Sequence, residues 1–117
     1  MGRPGVIWRG EIYQVDLGRP LGHKPAVRRP AVVVSNDILN NGAGALVMVV
    51  PITSAAYGLR SHVELEPGRT GLDHTSYARC DQLRVISTER LAHEPDGAAA
   101  PADMAAIDSA LRFVLDL

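Results

Sequence analysis

The chain has 117 residues, 46% of them hydrophobic, with a single cysteine and a formal net charge of −1. That length suits one domain over residues 1–117 that buries its own core, the lone Cys80 excludes an internal disulfide, and near-neutrality argues against wrapping in nucleic acid by bulk electrostatics. No apolar run approaches the roughly 20 residues that cross a bilayer, and the chain opens without the pattern of a signal peptide, so a reducing cytoplasm and no membrane are expected.

The charge is unevenly placed. Residues 1–29 hold six cationic side chains against Glu11 and Asp16, a balance of +4, whereas residues 30–117 hold six against eleven, a balance of −5. A basic patch of that size can hold a few phosphates of a short single strand, while a duplex footprint would want more cations.

In chain order, Trp8 is read as an anchor for the first strand rather than a surface for a base. Tyr13, Val15 and Leu17 alternate with Gln14 and Asp16, a half-buried strand that follows Arg9-Gly10 and ends at Gly18. Residues 18–29 carry Gly18, Pro20, Gly22 and Pro25 among charges and form a loop long enough to bind something. That loop delivers Arg28 and Arg29 to the mouth of a strand over 30–36. Pro30 pushes Arg29 toward extended geometry, and the valine run behind it gives a rigid base, so Arg29 is held rather than free. Residues 30–36 and 45–53 are continuously apolar, the pattern of strands covered on both faces, and Asn40-Asn41-Gly42 with Gly44 supplies the turn of an antiparallel pair.

A polar loop runs to Ser61, followed by a strand over 62–66 with Val63 and Leu65 on its dry face. Pro67-Gly68 is turn chemistry, 76–86 is strand-like throughout, and 87–91 closes as a short helical turn. Met104, Ile107, Leu111 and Val114, with Pro101 at the start and Asp103 in the first turn, predict an amphipathic helix over 101–115. Many short strands and one closing helix argue for a mainly β (α+β) chain, a small antiparallel barrel with a C-terminal amphipathic helix packed on it.

Six segments in series sharpen that reading. Arg9-Gly10-Glu11-Ile12-Tyr13, Arg29-Pro30 through Asp37, Val50-Pro51-Ile52-Thr53-Ser54, His62-Val63-Glu64-Leu65, Cys80-Asp81-Gln82-Leu83-Arg84 and Ala110-Leu111-Arg112 with Leu115-Asp116-Leu117 resemble the MazF/PemK family of toxin endoribonucleases. The resemblance covers nearly the whole chain. It implies an SH3-like barrel of the CcdB/PemK type, a homodimer, that cuts single-stranded RNA at a short sequence without a metal or other cofactor. The substrate is usually mRNA, with tRNA and rRNA also open. By the same resemblance Arg29 and Thr53 carry the reaction, Gln82, His62 and Arg84 bind substrate, and a cognate antitoxin neutralises the protein; Arg28 and Lys24, as cations of the first loop, are expected to attract the RNA backbone. Expected products are a 2′,3′-cyclic phosphate and a 5′-hydroxyl, the loss of message inhibiting translation and growth.

The residue types suit that chemistry. When the substrate's own 2′-hydroxyl attacks the adjacent phosphate, the enzyme must align the attack, stabilise charge on the phosphorane and manage two protons. Arg29 can grip non-bridging oxygens with its planar fork. Thr53 is a poor base at neutral pH and is assigned to holding the phosphate or 2′-hydroxyl. The general acid and base stay open: His23, His62, His74 and His93 show no pairing by spacing, with His74 and His93 read as loop or surface residues. One cysteine and dispersed histidines offer no metal cluster, and Cys80 reads as a small buried hydrophobe.

Relatives often place Gly-Ser-Glu-Gln in the loop before the arginine, where this chain has Gly22-His23-Lys24-Pro25. His23 could contribute a proton-transfer group there, and no cleavage motif transfers from a relative. A toxin that acts by binding, such as a CcdB-like gyrase inhibitor, or an inactive partner-binding member is the rival class.

Overall fold

The computed structural model describes residues 4–18 and 28–117. The elements follow in the order β1 (Glu11–Asp16), β2 (Arg28–Val33), α1 (Asp37–Asn40), β3 (Leu46–Thr53), β4 (His62–Leu65), β5 (Ser76–Arg79), a 3-10 turn (Cys80–Gln82), β6 (Arg84–Ser87), a second 3-10 turn (Thr88–Arg90), β7 (Gly97–Ala98) and α2 (Pro101–Leu115). The strands pair antiparallel in the order β4-β5-β3-β2-β1-β7, with β6 attached to β3. They make a curled half-barrel with the C-terminal helix packed on it, as expected.

β3 is the spine of this sheet. Its β-branched Val47, Val49, Val50 and Ile52 favour a pleated backbone, and alternation sends them to two separate cores. Val47 and Val49 pack with Tyr13, Val15, Ala31 and Val33, while Val50 and Ile52 pack with Val32, Val63, Leu65 and the α2 residues Met104, Ile107 and Ala110. Along one edge β3 meets β2 at Val49–Pro51; along the other it meets β6 at Leu46–Val49 and then β5 at Ile52 and Thr53. That change of partner leaves room for the Cys80–Gln82 turn between β5 and β6, which is why the strand-like stretch 76–86 is two strands rather than one.

The remaining departures have local causes. β1 begins at Glu11 and stops at Asp16, short of Leu17 and Gly18. β2 ends at Val33 instead of continuing to Asn36, because the Asn36 side chain accepts the Leu39 N–H at 2.9 Å and caps the single turn α1. β7 pairs only with Glu11 and Ile12 and is too short to show a period. Trp8 is 55% exposed and is not the anchor; Ile7 is, fully buried, with its N–H and C=O both bound to the Asn41 side chain at 2.9 Å. The helix occupies 101–115 as expected, with Pro101 in its first turn and Met104 and Ile107 buried, although Val114 is exposed past the edge of the core. Arg9 ties this helix down: its guanidinium pairs with Asp108 and donates to the Val34 carbonyl at 2.9 Å.

Cys80 is fully buried in the helix-side core. Burial, with the Asp81 carboxylate adding to it, pushes its thiol up from 9.0 to about 11. Below pH 9 the thiol is neutral in both folded and unfolded chains. From there upward the unfolded chain releases a proton that the folded one keeps, so this contribution to stability is lost as pH rises through 11. Tyr13, also pushed up by burial and then by Glu11, adds to the same alkaline loss at still higher pH. The thermal midpoint of Cys80→Ala is expected to fall less steeply than the parent's between pH 9 and 11 when followed by circular dichroism; parallel slopes would exclude this origin.

Candidate active site

The site begins with a proline. Pro30 has no N–H to give a ladder; β2 pairs with β1 from Arg28 onward, but its register with β3 begins only at Ala31, opposite Pro51. Continued by two residues, that register sets Arg29 directly opposite Thr53, so the two side chains leave on one face at the point where the strands stop pairing. On its other side Thr53 is held by β5 through Tyr77.

Arg29 and Thr53 line two adjoining hollows. The larger, about 420 Å³, is completed by Leu17, Gly18, Pro51, Ile52, Tyr57, Arg79, Gln82 and Arg84. Among the described residues three guanidinium groups and no carboxylate line it, so its field favours a phosphodiester. The smaller, about 240 Å³, adds Pro30, Ser54, Leu72, His74 and Ser76. The Ala55 N–H donates to Thr53 Oγ1 at 3.2 Å, which fixes the hydroxyl oxygen and leaves its proton to donate. Arg84 is steadied by donating to the Leu17 carbonyl at 3.3 Å.

Arg79 stands across the larger hollow. Its Nε lies 3.8 Å from Asp81 Oδ1, and its guanidinium sits 5.6 Å from the centroid of Tyr57. Asp81 Oδ1 is also 3.2 Å from His62 Nε2, an ion-pair distance without hydrogen-bond alignment. The His62 ring in turn meets Tyr57 edge to face at 5.7 Å.

The structure therefore brings together Arg29, Thr53, Gln82 and Arg84. It does not place His62 among them: that side chain is buried behind Tyr57 and lines a different cavity, between β4 and α2, with Glu64, Ala110 and Phe113. Arg28 is exposed and, one residue before Arg29, projects from the opposite face of β2. Lys24 and His23 lie outside the described residues. Sequence reasoning missed Tyr57 and Arg79, signalled only as an aromatic in a polar loop and as a cation three residues before Gln82. His74, whose side-chain type suits acid–base work, is a loop residue as expected, and that loop brings it to the smaller hollow. Among the described residues there is no group of three or more His, Cys, Asp or Glu side chains placed to hold a metal. No helix there is long and apolar enough to cross a membrane.

The chain is similar to known proteins along nearly its whole length. The family profile of PemK-like, MazF-like toxins of type II toxin–antitoxin systems matches residues 8–115. Endoribonuclease MazF9 of Mycobacterium tuberculosis is 44% identical over 117 residues, covering 96% of this chain and 98% of its own. Among solved structures, an endoribonuclease in complex with its cognate antitoxin from a mycobacterial species is similar with a TM-score of 0.77 at 28% identity, over 95% of this chain and 96% of that one. A MazE–MazF crystal structure from Deinococcus radiodurans is similar with a TM-score of 0.79 at 26% identity, over 97% and 98%.

Proposed function

Because the chain belongs to the PemK-like, MazF-like toxins of type II toxin–antitoxin systems, it is an endoribonuclease toxin neutralised by an antitoxin, and we propose that its reaction runs on Arg29 and Thr53. The observation that supports this assignment is the β2–β3 register, which, continued by two residues, sets the two side chains opposite each other, both lining a hollow that Arg79 and Arg84 also line.

In this reading the 2′-oxygen of the substrate attacks the adjacent phosphorus and the P–O5′ bond breaks, leaving a 2′,3′-cyclic phosphate and a 5′-hydroxyl. One proton leaves the 2′-hydroxyl and one reaches the departing 5′-oxygen. The nucleophile is part of the substrate, so the step needs no cofactor. Arg29 makes paired hydrogen bonds to the non-bridging oxygens as charge builds on them. Thr53 donates its free proton to the same phosphate. Gln82 and Arg84 hold the flanking nucleotides.

Of the described histidines, His74 alone lines either hollow with Arg29 and Thr53, and its type of side chain exchanges protons near neutrality. It is the group we assign to proton transfer. His74→Gln should lower kcat about 10²-fold and remove one limb of the pH–rate profile; a variant with both limbs intact would take the role away from it.

The partner is a cognate antitoxin, and we extend the reading to a homodimer, supported by Phe113, Leu115 and Leu117 exposed at the end of α2. We take residues 1–117 as one toxin domain, supported by the unbroken strand path from β4 to β7. We place the protein in the cytoplasm, a reading supported by its substrate class and compatible with the free thiol of Cys80. The decisive experiment incubates the purified protein with a long single-stranded RNA in EDTA. Discrete cuts that map to one short sequence are expected. Intact RNA together with inhibited gyrase would instead make this a binding toxin.

A further inference from the structure

The phosphate chemistry leaves one conspicuous wall of the larger hollow unused. Tyr57 is 58% exposed, and an aromatic ring that open to water gains little from burial. Its neighbours nonetheless fix where it stands. His62 meets it at 5.7 Å with the ring planes at 87°, the Arg79 guanidinium lies 5.6 Å from its centroid, and Asp81 Oδ1 approaches both of those residues, His62 Nε2 at 3.2 Å and Arg79 Nε at 3.8 Å. Interactions are thus directed at holding the ring in place rather than at covering it.

A fixed aromatic ring with most of its surface open, set in a groove whose described residues include three guanidinium groups and no carboxylate, has the two properties that bind single-stranded nucleic acid. The cations track the backbone and the ring accepts a base. We propose that Tyr57 is a nucleobase-stacking platform, receiving one base beside the phosphate held by Arg29 and Thr53, with its ring held in position by Arg79 and His62. This rests on the RNA-cleaving reading above and adds to it a determinant of substrate affinity in the 54–61 loop. An antitoxin side chain could use the same ring, and the variants below separate that occupant from RNA.

The test uses a dye-labelled single-stranded RNA carrying the mapped cleavage site, made uncleavable by 2′-O-methylation, and reads binding by fluorescence anisotropy. Tyr57→Ala should weaken binding about 5- to 150-fold, the range that one stacked base contributes, and Tyr57→Phe should stay within about twofold of the parent. Removing single bases from the RNA should reproduce the loss at one position only. At that position Tyr57→Ala should lose nothing further, because the two changes delete the same contact. Equal binding by Tyr57→Ala and the parent overturns the proposal, as does a Tyr57→Ala protein that binds RNA normally but loses the antitoxin. Thermal midpoints matching the parent's verify that the variants fold. A parent protein that neither binds nor cuts RNA would defeat the RNA-cleaving reading itself. A parent that cuts RNA while Tyr57→Ala is silent defeats only the stacking platform.

Discussion

Arg29→Ala is expected to cut RNA about 10²- to 10³-fold more slowly than the parent, with an unchanged thermal midpoint. The side chain is exposed at the start of β2 and belongs to neither core, so its removal leaves no cavity and no buried partner without its charge. Its cost should fall on the transition state, where negative charge on the phosphorane oxygens meets a planar donor fork. Arg29→Lys should recover only part of the loss, since an ammonium supplies a point charge and not two parallel donors. Thr53→Val, nearly the same in volume, should lower kcat because the hydroxyl is gone, while Thr53→Ser should keep most of it. Arg28→Ala makes the useful contrast: on the opposite face of β2, it should cost a few-fold in RNA affinity that fades at high salt. Equal rates for Arg29→Ala and the parent under single-turnover conditions would remove Arg29 from the chemistry.

How far such a site can be read without coordinates depends on the range of the interaction that builds it. The α2 helix was legible to the residue because Pro101, Asp103 and the Met104–Ile107 spacing are signals within one segment. The valine runs of β2 and β3 were legible as strands covered on both faces, and they are. The end of β2 was misjudged although the signal was local: Asn36 followed by Asp37 is an N-cap, outweighed in the reading by the apolar run before it. Cys80–Gln82 was a different failure. Nothing in that segment announces a 3-10 turn; it arises because β3 trades β6 for β5 along one edge. The candidate site divides in the same way. Arg29 and Thr53 stood in recognisable segments, but their opposition is a matter of register. His62 was drawn into the site by its segment and lies behind Tyr57, while His74, read as a loop residue, lines the smaller hollow.

The largest stability effect should come from a place with no chemistry in it, the crossing of segments 68–71 and 96–98. Segment 96–99 is held by Asp96 N–H on the Ile12 carbonyl at 2.8 Å, Ala98 N–H on the Arg69 carbonyl at 3.0 Å and Ala99 N–H on the Gly10 carbonyl at 2.9 Å, and it leads directly into α2. Two glycines permit the approach. A methyl group on Gly97 would run into the Arg69 carbonyl oxygen and reach the Thr70 carbonyl carbon at 2.5 Å; one on Gly71 would lie 2.7 Å from the Asp96 carbonyl carbon. In both cases the obstacle is backbone, so no side chain can swing away, and relief requires separating the segments and breaking the bonds just named. Overpacking of this kind costs up to about 3 kcal/mol. Gly71 also has φ +76, which adds about 1–2 kcal/mol for any residue bearing a Cβ. Gly71→Ala and Gly97→Ala should therefore lower the thermal midpoint by about 10 °C or more in this size of chain. Gly68→Ala separates the two causes, since φ there is +104 but nothing stands within 4 Å, and it should lose only the conformational part. Gly44→Ala, with open space and no such φ, should leave the midpoint where it is. Circular dichroism melts of the four variants decide the matter, and a Gly97→Ala protein melting within a degree of the parent would mean that the crossing can open without loss.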